Sequence, residues 1–349
     1  MSGSTPISSV STRHWLFLAL AALVPSAIVV VLGPVPLEPL YFVFLLGAGI
    51  AMGSLGLLMI GHFMNEQWLA PVRTEAEAAA LTMPLILLLG LPLACGLDQL
   101  FPWADGRVEL RLQQQEFLNP GFFLARSVLY LVGSSLIALW LVRTRNSRRV
   151  SMIGLALLTP IVTFAAYDWV MSRDPQWSSS LFGFAFAINQ LLAALAGTIL
   201  VTLLRLERTT TARMLSLERA LLTLALLTIW TWFGQFIIVW LANLPDEVAW
   251  YLRRSAESSL ALLGFAYAAV IIAVIILVPT GVQRWTMILG SALVLAYHLM
   301  HMAWVVQPAV HLSWQEIGLA VVAVIIWAVA YGVLVRALPQ YDAESLREV

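Results

Sequence analysis

The sequence has no lysine, only one cysteine (Cys95) and few charges: 11% of its 349 residues are charged, against roughly 25% in an ordinary soluble chain. A single cysteine excludes an intrachain disulfide, a thiolate-held iron–sulfur cluster and a C-x-x-C-H haem attachment. The formal net charge is zero, so bulk charge provides no electrostatic footprint for nucleic acid. Histidine is scarce as well, at five residues, and no array of His and carboxylate has metal-ligand spacing. Neither a P-loop nor a nucleophile elbow occurs.

What the chain does have is apolar length. Hydrophobic residues make up 61% of it, with a mean hydropathy of +0.89. Crossing hydrocarbon as a helix takes about 20 residues. Ten runs approach or exceed that length, at 15–32, 40–63, 80–101, 122–142, 151–171, 181–204, 217–242, 258–279, 285–306 and 314–337. They are too long for barrel strands and do not alternate. The first is longer than the apolar core of a signal peptide and only Arg13 precedes it, so it reads as a span. The expectation is an all-α integral membrane protein of about ten transmembrane helices. Residues 1–14 form a short N-terminal segment, 15–337 a single polytopic domain and 338–349 a C-terminal tail.

Arginine sets the orientation. With an even number of spans, the N-terminal segment, the loops after spans 2, 4, 6 and 8, and the C-terminus share one side and hold 13 arginines. The opposite loops hold five, Arg107, Arg111, Arg173, Arg253 and Arg254, while Arg126 lies within the fourth span. By the positive-inside rule both termini are expected in the cytoplasm. Trp15, Trp103, Trp169, Trp240, Trp285 and Trp314 fall near span ends, as an interfacial belt predicts.

Ionisable residues at membrane depth point to function by default. On the outer side the topology collects Asp98, Arg126, Asp168, His298 and His301, with Glu247 in an adjacent loop; the inner side has His62 and Glu66. Between these ends the polar groups are weak: Ser134, Ser135, Asn189, Gln190 and Gln235. This distribution predicts an outer polar pocket or half-channel with His62 and Glu66 as an inner entry. Arg126 needs an anionic or carbonyl partner, so the alternative to a functional role is a structural ion pair with Asp168 or Asp98. Asp168 is either a proton carrier or an interfacial aspartate satisfied by amides or by Arg126. Pro245 followed by Asp246 and Glu247 predicts a short amphipathic helix on the outer interface, serving either docking or proton transfer through Glu247. His298 and His301 lie on one helical face, but no second outer histidine lies in another span; His14 and His62 are the only inner pair. Bound haem is therefore not expected.

Three segments carry a family pattern: FLNPGFFLAR at 117–126, YDWVMSRDPQW at 167–177, and FGQFIIVWLANLPDE at 233–247 followed by WYLR at 250–253. In order and spacing they resemble the F-type membrane subunit of bacterial alternative complex III. His62 to Trp68 before Arg73, the 75–80 stretch, Phe101-Pro-Trp103 and AWVVQP at 303–308 agree with it. The resemblance runs from about the second span to the end of the ninth. It implies the broader NrfD-like, polysulfide-reductase membrane-subunit superfamily, with two central four-helix bundles and two peripheral helices. It also implies a respiratory quinol:electron-acceptor oxidoreductase of cytochrome c type in the bacterial cytoplasmic (inner) membrane. Haem and iron–sulfur clusters would then lie on partners: a multihaem cytochrome c, an iron–sulfur protein and a related ten-helix subunit, the last being the better quinol-site candidate. This chain would be free of bound cofactor, with quinone admitted and lipid around it. A proton-conducting or architectural role is expected, and Asp168 gains a further reading, as acceptor for a quinol hydroxyl. Ser172-Arg173 and WSSS at 177–180 depart from the pattern beside the outer pocket, leaving its ligand open. A purely structural anchor and a stand-alone transporter are the alternatives; against the latter there is no midplane charge and no matched pair of broken spans.

Overall fold

In the computed structural model, residues 37–338 are described apart from 65–66, 145–147, 206–210, 280–282 and 307–313, together with residues 20, 23 and 24. Apart from residues 20, 23 and 24, the run at 15–32 therefore lies outside the described residues, as do His14, Glu66 and residues 339–349. All regular structure among the described residues is helical. Among the described residues, eight helices are long and apolar enough to cross a membrane. In chain order, α1 is Glu38–Met64; four short helices follow, α2 (Arg73–Leu81), α3 (Met83–Leu89), α4 (Leu91–Ala94) and α5 (Leu97–Leu100). Next come α6 (Leu112–Phe117), α7 (Pro120–Arg143), α8 (Arg148–Trp169), α9 (Phe182–Arg205) and α10 (Thr211–Ala242). The last are α11 (Pro245–Leu252), α12 (Glu257–Leu277), α13 (Arg284–Val306) and α14 (Trp314–Ala337).

Sequence periodicity and the structure part company at 80–101. An unbroken apolar run becomes short helices because Pro84 and Pro92, in the first turns of α3 and α4, have no N–H to give and clash with the preceding turn. The chain adapts locally. The Thr82 hydroxyl donates to the Ala79 carbonyl at 2.6 Å, and the amides of Leu93, Cys95 and Gly96 each turn back three residues, to Gly90, Pro92 and Leu93.

α1 and α9 form the centre, with 72% and 67% of their apolar windows buried, against 22% for α14 at the periphery. Lipid tails are as apolar as leucine, so the helices are held by close packing rather than by escape from water. Gly53 shows how close: a Cβ there would collide with the backbone carbonyl of Gln190 on α9. α2 is more unusual. Its sequence RTEAEAAAL holds three charges, yet all nine residues are buried. Alanines at 76, 78, 79 and 80 let α1, α7, α9 and α14 press against it.

Side-chain contacts fix which helix ends lie together. Arg205 at the end of α9 pairs with Glu75 at the start of α2, and Arg284 at the start of α13 donates to the Leu203 carbonyl. His62 at the end of α1 lies 3.4 Å from the hydroxyl of Ser151 in the first turn of α8. At the opposite end, Arg173 after α8 pairs with Glu38 at the start of α1, and Arg254 beyond α11 donates to the Val305 carbonyl at the end of α13. These helices thus alternate in direction as the sequence topology requires.

Candidate functional site

The end that carries Asp168 is built from loop and helix-terminal residues. Asn119 caps α7 by accepting from the Phe122 amide at 2.9 Å, and Pro120 occupies the first turn. The cap sets the angle of α7 and puts Arg126 a turn and a half inside, 8% exposed. Its guanidinium donates two parallel bonds to Asp168 on α8, Nε to Oδ2 at 2.7 Å and Nη2 to Oδ1 at 2.8 Å. The third arm, Nη1, donates to the Phe117 carbonyl at 3.0 Å, and the rings of Phe117 and Phe122 sit 3.8 and 4.2 Å from the guanidinium carbon. Tyr130 donates to Asp168 Oδ2 at 2.7 Å. Both carboxylate oxygens are therefore engaged, and Asp168 is wholly buried. This is a bidentate fork in which neither charge is left uncompensated.

The surrounding charges are paired in the same way. Arg173 holds Glu38 through both terminal nitrogens at 3.1 and 2.8 Å. Arg253 and Arg254 converge on Asp174 at 2.6 and 3.4 Å. Burial lowers the Arg254 pKa to about 10 against the opposing pull of Asp174, and the guanidinium spends its other donors on the carbonyls of Trp250 and Val305. Trp250, on the helix α11 expected from Pro245, stacks on Trp177 at 4.6 Å and so anchors the 174–180 loop.

His298 and His301 occupy a different region. Both are buried on α13, at 1% and 0% exposure. His298 Nδ1 lies 3.3 Å from Asn189 Oδ1 on α9, and its Nε2 has no hydrogen-bond partner among the described residues. His298 also lines a cavity of about 270 Å³ between α1, α3, α13 and α14, whose other walls are apolar apart from the Trp327 indole. Neither Arg126 nor Asp168 lines it. His301 is enclosed by aromatic rings, Trp232 at 4.5 Å, Tyr297 at 5.2 Å and Trp304 at 5.9 Å, and neither ring nitrogen has a partner among the described residues.

The single outer pocket expected from sequence is thus two regions. Arg126 and Asp168 close on each other; His298 opens on a cavity; His301 sits in an aromatic cage. Asp98 is exposed on α5, where its carbonyl accepts from Arg107 at 2.6 Å, and Glu247 is half-buried in the first turn of α11. Of the inner pair, His62 faces Ser151. Sequence reasoning passed over Tyr130 and the buried carboxylates Glu75 and Glu77. The alanine spacing of α2 was the available signal, since small residues on every side permit burial on every side. Among the described residues no group of three or more His, Cys, Asp or Glu could hold a metal ion.

Among the described residues these features define an all-helical chain with helices long and apolar enough to make it a multi-pass membrane protein, a set of ion pairs at the Asp168 end and a cavity lined in part by His298. No protein-family model and no curated protein matches the chain.

Proposed function

We propose that the chain is an integral subunit, holding no redox centre of its own, of a respiratory quinol:electron-acceptor oxidoreductase complex of the alternative complex III kind. Its own contribution is a quinol-facing cavity at His298. In this reading the membrane is the bacterial inner membrane, both termini are cytoplasmic, and the broken segment 80–101 and the run at 15–32 complete ten crossings. Haem and iron–sulfur clusters belong to the multihaem cytochrome c and iron–sulfur partners. The family pattern in sequence supports the assembly.

The observation that carries the site is the His298 cavity. It is apolar enough for an isoprenoid tail and has one buried imidazole for a headgroup. When Nδ1 donates to Asn189 Oδ1, Nε2 keeps its lone pair and accepts a quinol hydroxyl; the ring can then take that proton as imidazolium. His298 stands eight residues before the end of α13, about 12 Å below the outer helix end. α14, the least buried span, forms one wall and provides a lateral way in from lipid.

The test is photolabelling of the intact complex, purified in mild detergent, with azido-benzoquinone and azido-naphthoquinone analogues. Labelled peptides covering 295–299 or 323–327, lost in His298→Leu, are the expected result. Label confined to other subunits overturns the site, and purification as a lone chain overturns the assembly. The closed ionic face favours a second reading, a membrane anchor for peripheral redox subunits, which predicts normal turnover in His298→Leu.

A further inference from the structure

A groove between α8 and α9 lies apart from both the ionic end and the His298 cavity. It encloses about 220 Å³, and none of its lining residues lines that cavity. Its floor is α1, where Gly53 and Gly56 have no side chain to fill it; its walls are 155–163 of α8 and 184–191 of α9. Thr159 and Phe184 on the rims are exposed, so the groove opens sideways. Its polar groups are already spent. The hydroxyls of Thr159 and Thr163 donate to their own helix, to the carbonyls of Leu155 and Thr159 at 2.8 and 2.9 Å. Gln190 gives its amide nitrogen to Met302 Sδ on α13 at 3.8 Å, and its Oε1 packs against Gly49. Among the described residues no charged side chain lines the groove, so what it offers an occupant is contact with hydrocarbon.

A cation stands at one end of it. On α8 the lining positions 155, 158, 159, 162 and 163 form one stripe, and Arg148, seven residues before Leu155, falls on it. On α1, Phe63 stands seven residues beyond Gly56 and continues the floor in the same way. The two stripes meet there: the Arg148 guanidinium carbon is 5.3 Å from the centre of the Phe63 ring, and both residues are exposed. Arg149, the next residue, is also exposed but is turned about 100° away from the stripe. From Arg148 to Leu155 is about 10 Å, and the groove runs about 12 Å further along α8, to Thr163. One leaflet has about 15 Å of hydrocarbon beneath about 6 Å of headgroup region. Arginine and groove together therefore span the depth of a single leaflet.

We propose that the groove holds one acyl chain of an anionic phospholipid from the leaflet on the arginine-rich side, with its phosphate at Arg148. The chain covers Gly53 and Gly56 and packs between α8 and α9, where the protein alone leaves a gap. Arg148 donates to the phosphate oxygens while its methylene stem lies along the apolar stripe. No acid in the groove answers that charge, so a headgroup of net negative charge is favoured over a zwitterionic one. The His298 cavity is built the other way round, with an imidazole in its wall and no cation, so the two sites sort different amphiphiles.

Photolabelling with lipid tests the site, and neither His298 nor quinol enters into it. Protein purified in mild detergent, as a complex or as a lone chain, is incubated with phosphatidylglycerol carrying a diazirine in one acyl chain, or with phosphatidylcholine bearing the same chain. Cross-linked peptides are read by mass spectrometry. Phosphatidylglycerol should mark 155–163 and 184–191 at least fivefold more than phosphatidylcholine. Arg148→Gln should bring that ratio close to one, whereas Arg149→Gln, off the stripe, should leave it within twofold of the wild-type value. Thr159→Phe places a ring in the groove and should remove label from both peptides while Arg148 is kept. Equal labelling by the two lipids means ordinary annular lipid and overturns the proposal. A ratio that falls equally in Arg148→Gln and Arg149→Gln does so too, since it reflects leaflet charge without a site. Displacement of the lipid by the azido-quinones, with their label on the same peptides, overturns the occupant. If a variant fails to accumulate, the lipid ratio on the unaltered protein decides.

Discussion

The Asp168 end and the His298 region meet the same problem, a polar group denied water, with opposite solutions. At the Asp168 end the charges that are taken out of water pair closely: Arg126 with Asp168 and Tyr130, Arg173 with Glu38, Arg253 and Arg254 with Asp174. Around His298 and His301 the neighbouring polar groups are an amide, phenols and indoles rather than carboxylates or guanidiniums, and several polar atoms have no partner among the described residues. Burying an unpaired charge is far more costly than burying a neutral polar group, so a chain can leave the second kind open but not the first. Full pairing marks a clasp that holds helix ends together. An open imidazole beside a cavity marks a place that a ligand can complete.

That contrast predicts unequal responses to substitution. The largest belongs to Asp168→Ala, which strands the buried Arg126 guanidinium and should destabilise the protein by about 3–5 kcal/mol, or prevent its accumulation. Asp168→Asn, which retains an acceptor for Tyr130, should lose less. Thermal unfolding of detergent-purified protein measures both, and a wild-type midpoint for Asp168→Ala would mean that the clasp does not hold the fold.

Opposite in sign, His301→Phe removes two unpartnered nitrogens while keeping a ring among Trp232, Tyr297 and Trp304. It should leave stability unchanged or raise it by about 1 kcal/mol, within the range for relieving a buried unsatisfied group. A clear loss would show that His301 is satisfied in the assembled protein and belongs with the clasp. Smaller again, Arg173→Gln breaks a pair whose two side chains are 16% and 18% exposed, and solvent screening limits the effect to about 1 kcal/mol. A double-mutant cycle with Glu38→Gln isolates the coupling.

The mildest test leaves stability untouched and sharpens the comparison of the two ends. Cys95 is exposed, so labelling starts from Cys95→Ala. Asn146→Cys, between α7 and α8 in sequence, should then react with an impermeant maleimide only after the membrane is opened. Labelling from outside intact cells would invert the orientation drawn from the arginines.

Much of this was legible before any coordinates. The apolar runs at 40–63, 122–142 and 285–306 correspond to α1, α7 and α13, because a membrane span must satisfy its own backbone within the run and so leaves a local signal. Asn119-Pro120 and Pro245-Asp246-Glu247 predicted helix starts for the same local reason, since caps and first-turn prolines act within a few residues. The partnership of Arg126 with Asp168 was legible only as one alternative.

Packing decided the rest. Sequence places His298 and Asp168 at one outer depth, but depth is a single coordinate, and which helices are neighbours is set by where small residues allow close approach. Gly53 against Gln190 is one such contact, and it joins α1 to the helix that carries Asn189. The burial of Glu75 was hidden for the same reason: a charge before an apolar run looks like an exposed loop until four helices close around its alanines. By itself the sequence determined that the chain is helical and apolar enough to cross a membrane repeatedly, and how its polar residues are distributed along it. Only the tertiary structure decided which of them neutralise one another and which are left facing a cavity, because pairing depends on distances between helices far apart in the chain.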